Sequence, residues 1–320
     1  MAKMSTQNDV AAAALLAVVL YAWQDRRCRR QRRQLQLGGQ GGSGDLVCDG
    51  SGKMFDAVAP RYDLLNRIMS FGLDRQWRAE AIDACLQPLV QWAGEATTSD
   101  GQSQQQRLEL LDVATGTADV ALDALHRHGR WLRAVVGVDA SEGMIALARQ
   151  KVHRAAADER VQLQVGDAES LPAEWSGRFD ACVIAFGVRN FAHRAAALRE
   201  IHRVLRKPST DHSDTRPPSR LVILELIEPR TAHPLAPVAR LFLRAGVPLL
   251  GALFSGRPRE YLYLQRSARA FPPVESFVRF LSDECALHTL QVRHLSPFGL
   301  GPTLLVTTPA PLQDAKAMTT

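Results

Sequence analysis

Three short runs hold residues able to grip a ligand, and each falls where an apolar run ends. LELLDVAT at 108–115 leads into Asp112-Val113-Ala114-Thr115-Gly116-Thr117-Ala118-Asp119. Small residues at such a turn let backbone approach a ligand, and the next helix N-terminus points free amides at it. A dinucleotide site asks for G-x-G-x-x-G; here Gly116 stands without the other glycines, so the pyrophosphate fingerprint fails. Asp139 closes a second apolar run, where a carboxylate is placed to accept two hydroxyl hydrogen bonds from a ribose. A third run ends in Gly166-Asp167-Ala168-Glu169, where a carboxylate can accept from an adenine amino group. Each has a plainer reading. Asp112 or Thr117 would bind turn backbone, and Asp139 would cap the helix that follows. Taken together and in order, the three describe a site for a nucleoside without phosphates, which points to S-adenosylmethionine.

The elements that must position these residues alternate. Strands are expected at 108–115, 134–139, 161–165, 179–186 and 220–226. Helices are expected at 117–128, 142–152 (with Ser141 as its cap) and 194–205. Such alternation means βαβ units and a parallel sheet covered on both faces. Residues 54–91 read as helical, with Pro88 stopping or bending the run, and 93–107 as a polar loop. PSTDHSDTRPPS at 208–219 is a polar insertion. The stretch 234–254 is strongly apolar and broken by Pro237, Pro248 and two glycines; it fits a lid for a lipid tail or an ordinary packed helix pair. Further helices are expected at 258–270 and 274–286, then strands at 289–295 and 303–308 forming an antiparallel hairpin on the sheet edge.

Composition narrows the class. The chain has 320 residues, room for one large domain or two ordinary ones. No apolar run reaches the roughly 18 residues of a membrane span, which excludes a polytopic membrane protein. The five cysteines, Cys28, Cys48, Cys85, Cys182 and Cys285, are scattered, which argues against a disulfide framework or a zinc site. No metal is expected. Residues 1–53 hold eight Lys/Arg against four Asp/Glu and the remainder 31 against 29, so the basic excess sits mostly in a leader. The body lacks the basic surplus that a nucleic-acid partner would exploit. In the leader an apolar run at 10–23 precedes six arginines at 26–33 and a glycine-rich stretch at 38–46. That order is the reverse of a secretory signal. Three readings stay open: organelle targeting, a membrane-surface anchor, or a tail without a role. The boundaries expected are a leader and linker at 1–53, a domain at 54–310 and a tail at 311–320.

MFDAVAPRYDLLNRIMSFGLDRQWR at 54–78, LLDVATGTAD at 110–119, GDAESLP at 166–172, FGVRN at 186–190 and HRVLRKP at 202–208 resemble the ubiquinone/menaquinone biosynthesis C-methyltransferase family. The pairing of YDLLN with FGVRN is far more specific than the methyltransferase loop. The resemblance implies an α/β class I methyltransferase fold, a Rossmann-like seven-stranded, mostly parallel sheet with helices on both faces. Its last strand would be antiparallel, with N-terminal and late helical lids. It implies that the positions of Thr117, Asp139, Asp167 and Ala168 bind S-adenosylmethionine, with Asp112 and Gly116 in the same loop site. It also places Arg189, Asn190 and Tyr62 at the active site. The family usually has glycine where this chain has Ala118, and the insertion opens its usual KPGGR turn.

A sulfonium methyl needs an in-line nucleophile, and its neutral thioether leaving group needs no metal. A quinol ring carbon becomes nucleophilic when a neighbouring hydroxyl loses its proton, so a base or cation near that oxygen would help. Arginine is too basic to accept the proton easily. Arg189 therefore reads as stabiliser of the phenolate, directly or through a water, or else as a salt bridge holding the lid. Asn190 would orient the ring hydroxyl; Tyr62 would close over the substrate or pack in the core. Tyr261 and Tyr263 match a family segment, whereas His193 and His202 read as surface or satisfied histidines. Arginines 240, 244, 257 and 259 would face headgroups or be solvated. The expected activity is C-methylation of a polyprenylated quinol; another lipophilic acceptor or a non-catalytic scaffold are the competitors. Expected partners are that quinol, a membrane surface touched peripherally, and a homodimer or quinone-biosynthesis complex. The favoured address is the mitochondrial inner membrane, with the plastid as alternative.

Overall fold

The computed structural model describes residues 52–96, 107–208, 215–228, 233–255, 258–296 and 301–309. The leader, most of the 93–107 loop, the middle of the insertion, Arg257 and the tail at 311–320 lie outside them. So do the side chains of Arg259 and Tyr261.

Seven strands form one sheet: β1 (Leu108–Val113), β2 (Leu132–Asp139), β3 (Val161–Val165), β4 (Ala181–Ala185), β5 (Arg220–Glu225), β6 (Leu287–His294) and β7 (Thr303–Pro309). Their order is β3-β2-β1-β4-β5-β7-β6. β1 to β5 pair in parallel, and β7 runs antiparallel between β5 and β6. The late hairpin forms as expected, with β6 at the edge and β7 wholly buried. This is the fold class read from the resemblance. The chain reverses direction across the sheet between β1 and β4, the switch point where open α/β sheets bind ligands beyond the strands' carboxyl ends.

Alternate residues of the strands feed two cores, as a sheet buried on both faces requires. Leu111, Val113, Cys182 and Ile184 pack with α6 (Arg194–Val204) and α10 (Val274–Cys285). Leu110, Val135, Val183 and Val222 pack with α3 (Asp74–Ala96) and α4 (Asp119–His128) on the other face. Ala148 and Val152 of α5 (Glu142–Arg154) join that second core.

The helical stretch at 54–91 is broken into shorter pieces. α1 (Gly52–Val58) and α2 (Tyr62–Met69) flank a 3-10 turn holding Pro60, and α3 follows a turn at 70–73. Phe71 and Gly72 take positive φ there (+53° and +80°), which ends α2. α3 continues through Pro88 to Ala96, so the proline does not stop it and the expected loop begins later. The apolar stretch at 234–254 folds as α7 (Ala236–Leu241), a π-helical turn (Phe242–Gly246) and α8 (Val247–Ser255), followed by α9 (Pro258–Ala270). Pro237 sits in the first turn of α7, where a missing N–H costs little, and Pro248 follows directly on the π-helical turn. Val58, Ala59 and Leu65 from the N-terminal helices pack with Met144 of α5 and Val247 of α8. Among the described residues no helix is long and apolar enough to cross a membrane.

Candidate active site

Beyond the carboxyl ends of β1, β2 and β4 lies a cavity of about 300 Å³. Six of the nine candidate residues line it: Tyr62, Gly116, Asp139, Asp167, Ala168 and Asn190. Asp112, Thr117 and Arg189 do not.

The loop after β1 is shaped by three left-handed residues, Ala114 (φ +56°), Gly116 (+56°) and Ala118 (+66°). For alanine this conformation costs about 1–2 kcal/mol. The two alanines are held in place by packing: Ala118 is fully buried at the start of α4, and Ala114 lies against Gly187. A side chain on Gly187 would come within 2.5 Å of the Ala114 methyl, so the glycine of FGVRN lets the two loops touch. A side chain on Gly116 would meet open space, so that backbone faces the cavity bare.

Asp139 has both plainer and functional features. Its Oδ2 accepts from the Gly116 N–H at 2.8 Å and its Oδ1 from the Ser141 N–H at 2.9 Å. Burial raises its pKa above the usual carboxylate range, against the two amides that lower it. The helix cap is Ser141, whose Oγ accepts from the Met144 N–H, so Asp139 is not the cap. A carboxylate has about four acceptor positions; two remain at the cavity wall. Asp167 is exposed, and its Oδ1 accepts from the Glu169 N–H. Glu169 pairs with His193, whose hydrogen bonds hold its carboxyl low although burial pushes it up; His193 is a satisfied histidine. His202 is half-buried against Lys207, and burial pushes its pKa down to about 4.

The three candidates off this cavity are engaged elsewhere. Asp112 is buried beneath the loop, and its Oδ2 accepts from the Thr115 hydroxyl at 2.5 Å. Burial pushes its pKa up to about 7. The Thr117 hydroxyl turns towards the lid, donating to Asp63 on α2 and accepting from Lys151 on α5, both at 2.7 Å. Lys151 also pairs with Asp63 and Asp119. Asp56 on α1 accepts from the Ser141 hydroxyl and the Gly143 N–H. Two carboxylates thus tie the N-terminal helices to α5. Sequence reading missed Asp56, Asp63 and Lys151 because they are distant in the chain and polar residues on helices are ordinary; YDLLN contains Asp63 but gives it no partner.

A second cavity, about 270 Å³ and mostly apolar, is walled by Met69, Phe71, Trp77, Leu226, Phe242 and Leu243 among others. Arg189 lines it, with Tyr62 and Phe186. A waist of about 50 Å³ is lined by Tyr62, Arg189, Asn190 and Tyr263. Tyr62 and Phe186 line both main cavities, whereas Asn190 lines the first and Arg189 the second. Phe186 holds φ +60°, an outlier for an aromatic residue, and lines both main cavities. The Tyr263 hydroxyl donates to Asn190 Oδ1 at 3.2 Å. Arg189 forms a buried ion pair with Glu225 at the end of β5, so its partner belongs to the sheet and not to the lid. Its Nε is buried without an acceptor.

Residues 47–296 match the ubiE/COQ5 methyltransferase family. The chain is 37% identical over 225 residues to the ubiquinone/menaquinone biosynthesis C-methyltransferase UbiE of Geotalea uraniireducens, covering 70% of this chain and 83% of that one. It is 39% identical over 224 residues to the UbiE of Geobacter sulfurreducens, covering 70% and 75%. To the demethylmenaquinone methyltransferase of Thermotoga maritima it is 34% identical over 232 residues, covering 72% and 86%. With a match over most of its length and relatives spanned over three quarters or more of theirs, the chain belongs to the ubiE/COQ5 methyltransferase family.

Proposed function

We propose that the protein methylates a ring carbon of a polyprenylated quinol precursor in ubiquinone, menaquinone or phylloquinone biosynthesis, using S-adenosylmethionine. The observation that carries this reading is that two unlike cavities share Tyr62 and Phe186, with Asn190 on the first, Arg189 on the second and both on the waist. One is edged by Asp139 and Asp167, the other is apolar. The residues fit the cofactor: Asp139 keeps free acceptor positions for ribose hydroxyls, Asp167 and Ala168 suit the adenine edge, and Gly116 leaves the loop backbone bare. When bound, S-adenosylmethionine supplies an electrophilic methyl on a sulfonium. The apolar cavity takes the start of the prenyl tail, so the ring rests at the waist. There Arg189, which lines both the apolar cavity and the waist, donates to the ring oxygen beside the reacting carbon. Asn190, oriented by Tyr263, holds the ring hydroxyl, and Tyr62 covers the ring.

A peripheral membrane contact is part of the proposal. Leu64, Phe71, Leu73, Leu235, Val238 and Leu241 are large apolar residues left exposed on the lid segments around the second cavity. Exposed patches of this kind mark interaction surfaces. The leader arginines suit anionic lipid, which supports the mitochondrial inner membrane, or a plastid membrane, as the site of action. Cell fractionation with a tagged full-length protein checks that address. The activity is tested with methyl-labelled cofactor and a panel of demethylated benzoquinols and naphthoquinols, with products identified by mass. Label on a ring carbon of one class is expected. Cofactor binding without transfer to any quinol overturns the reading.

A further inference from the structure

We infer that Glu225 is the positioning residue for Arg189 and cancels its charge towards the substrate; this rests on the reading of Arg189 as a substrate contact. Glu225 is the last residue of β5 and is fully buried. Its Oε1 accepts from the Arg189 guanidinium, through Nη1, and from the Leu226 N–H at 2.8 Å. Its Oε2 accepts from the Arg189 backbone N–H at 3.1 Å. One carboxylate therefore holds the main chain and the side chain of the same arginine, which fixes its rotamer as well as its place. Glu225 lines neither cavity nor the waist, whereas Arg189 lines the apolar cavity and the waist. The carboxylate acts from behind and touches no substrate.

The consequence is electrostatic. A guanidinium paired in a dry site offers aimed N–H donors rather than a free positive charge. The surrounding charges do not restore one. Across the apolar cavity Arg78 pairs with Asp74, and beyond β5 Arg244 pairs with Glu228. Arg194 donates to the carbonyls of Val188 and Arg189. A quinol should then bind with its hydroxyl protonated, and the phenolate should be favoured only as it develops against the fixed donors.

The test compares Glu225→Gln with Glu225→Asp in the full chain, following cofactor affinity by calorimetry and turnover against pH. Glu225→Gln leaves Arg189 uncompensated. A nearby opposite charge lowers an acid's pKa by about 1–3 units, so the pH at which turnover levels off should fall by about one unit or more. Glu225→Asp keeps the charge but draws Arg189 back, so plateau turnover should fall by about a hundredfold with the pH limb unmoved. Cofactor affinity should stay within about twofold in both, because Asp139 and its loop are untouched. Normal turnover and an unmoved limb in Glu225→Gln overturn the inference. Loss of cofactor binding in both variants also overturns it, since Glu225 would then serve the fold. Arg189→Lys separates the two readings. Normal turnover there sinks Arg189 as a substrate contact; impaired turnover there with a normal Glu225→Gln sinks only the role of Glu225.

Discussion

The carboxylates Asp139 and Asp112 show how one residue type is put to different uses by its surroundings. Asp139 receives two backbone amides and stays at the cavity wall; Asp112 is sealed under the loop with one hydroxyl donor. Asp139→Ala should weaken S-adenosylmethionine binding by about 2–3 kcal/mol, as charge-assisted hydrogen bonds to ribose are lost. Calorimetry measures it, and unchanged affinity would leave Asp139 as a loop tie through Gly116 and Ser141. Asp112 titrates the opposite way from a salt-bridged acid. Its folded pKa is pushed up to about 7, above the ordinary value of about 4 for a free chain. The unfolded chain therefore releases this proton first, and stability is lost as pH rises from about 4 to 7. Asp112→Asn does not titrate. Its melting temperature relative to wild type should climb across that window by about 2 °C or more, read by calorimetric scans at pH 5 and pH 8; a difference independent of pH would refute the assignment.

Among the elements, α1 and α2 depend on borrowed contacts. They are short, and helices of this length hold in water only through tertiary packing. Their apolar contacts are with Met144 and Val247, and their polar ties are Asp56 to the start of α5 and Asp63 to Thr117 and Lys151. Lys151 sits among Asp63, Asp119 and Thr117, so Lys151→Met leaves Asp63 without its cation and Asp119 with Arg78 at 3.4 Å. The group is partly exposed, and a loss of about 1 kcal/mol is the expected scale. Since Asp63 of this network belongs to the lid while the Lys151–Asp119 pair joins α5 to α4, KM for the cofactor should rise about fivefold and the melting temperature should fall by about 2–4 °C. Hydrogen exchange in 52–69 should quicken in the same variant. Unchanged exchange and KM would mean that packing alone seats the lid.

For the whole molecule the question is where the catalytic body starts. Gly52 lines the first cavity and opens α1, and a side chain there would meet the Ala140 carbonyl at 2.4 Å. The helix thus begins two residues before the boundary expected at Met54. Removing residues 1–51 should leave turnover of a short-tailed quinol within about twofold, since among the described residues 52–309 already form a two-sided core and both cavities. Membrane association in cells should drop. A truncated chain that fails to bind cofactor would show that the leader belongs to the fold.

Short-range pattern alone is enough to place several parts of this protein. Strand β3 and helix α9 fall where periodicity puts them, Ser141 caps α5, and the loop at 112–119 announces a ligand turn, because period, capping and glycine content act within a few residues. The cavity-lining positions of Asp139 and Asp167 follow from their places at strand ends, where a parallel sheet must deliver them. The direction of side chains and the pairing of charges across the chain are set by the packed fold. Thr117 stands in the ligand loop, yet Asp63 and Lys151, 54 and 34 residues away, turn its hydroxyl towards the lid. Arg189 reads from sequence as a phenolate stabiliser or a lid bridge, and its ion-pair partner is Glu225, 36 residues on in the sheet, because β4 and β5 lie side by side. A buried charge must find its counter-ion wherever the fold brings one, and no local spacing records that choice.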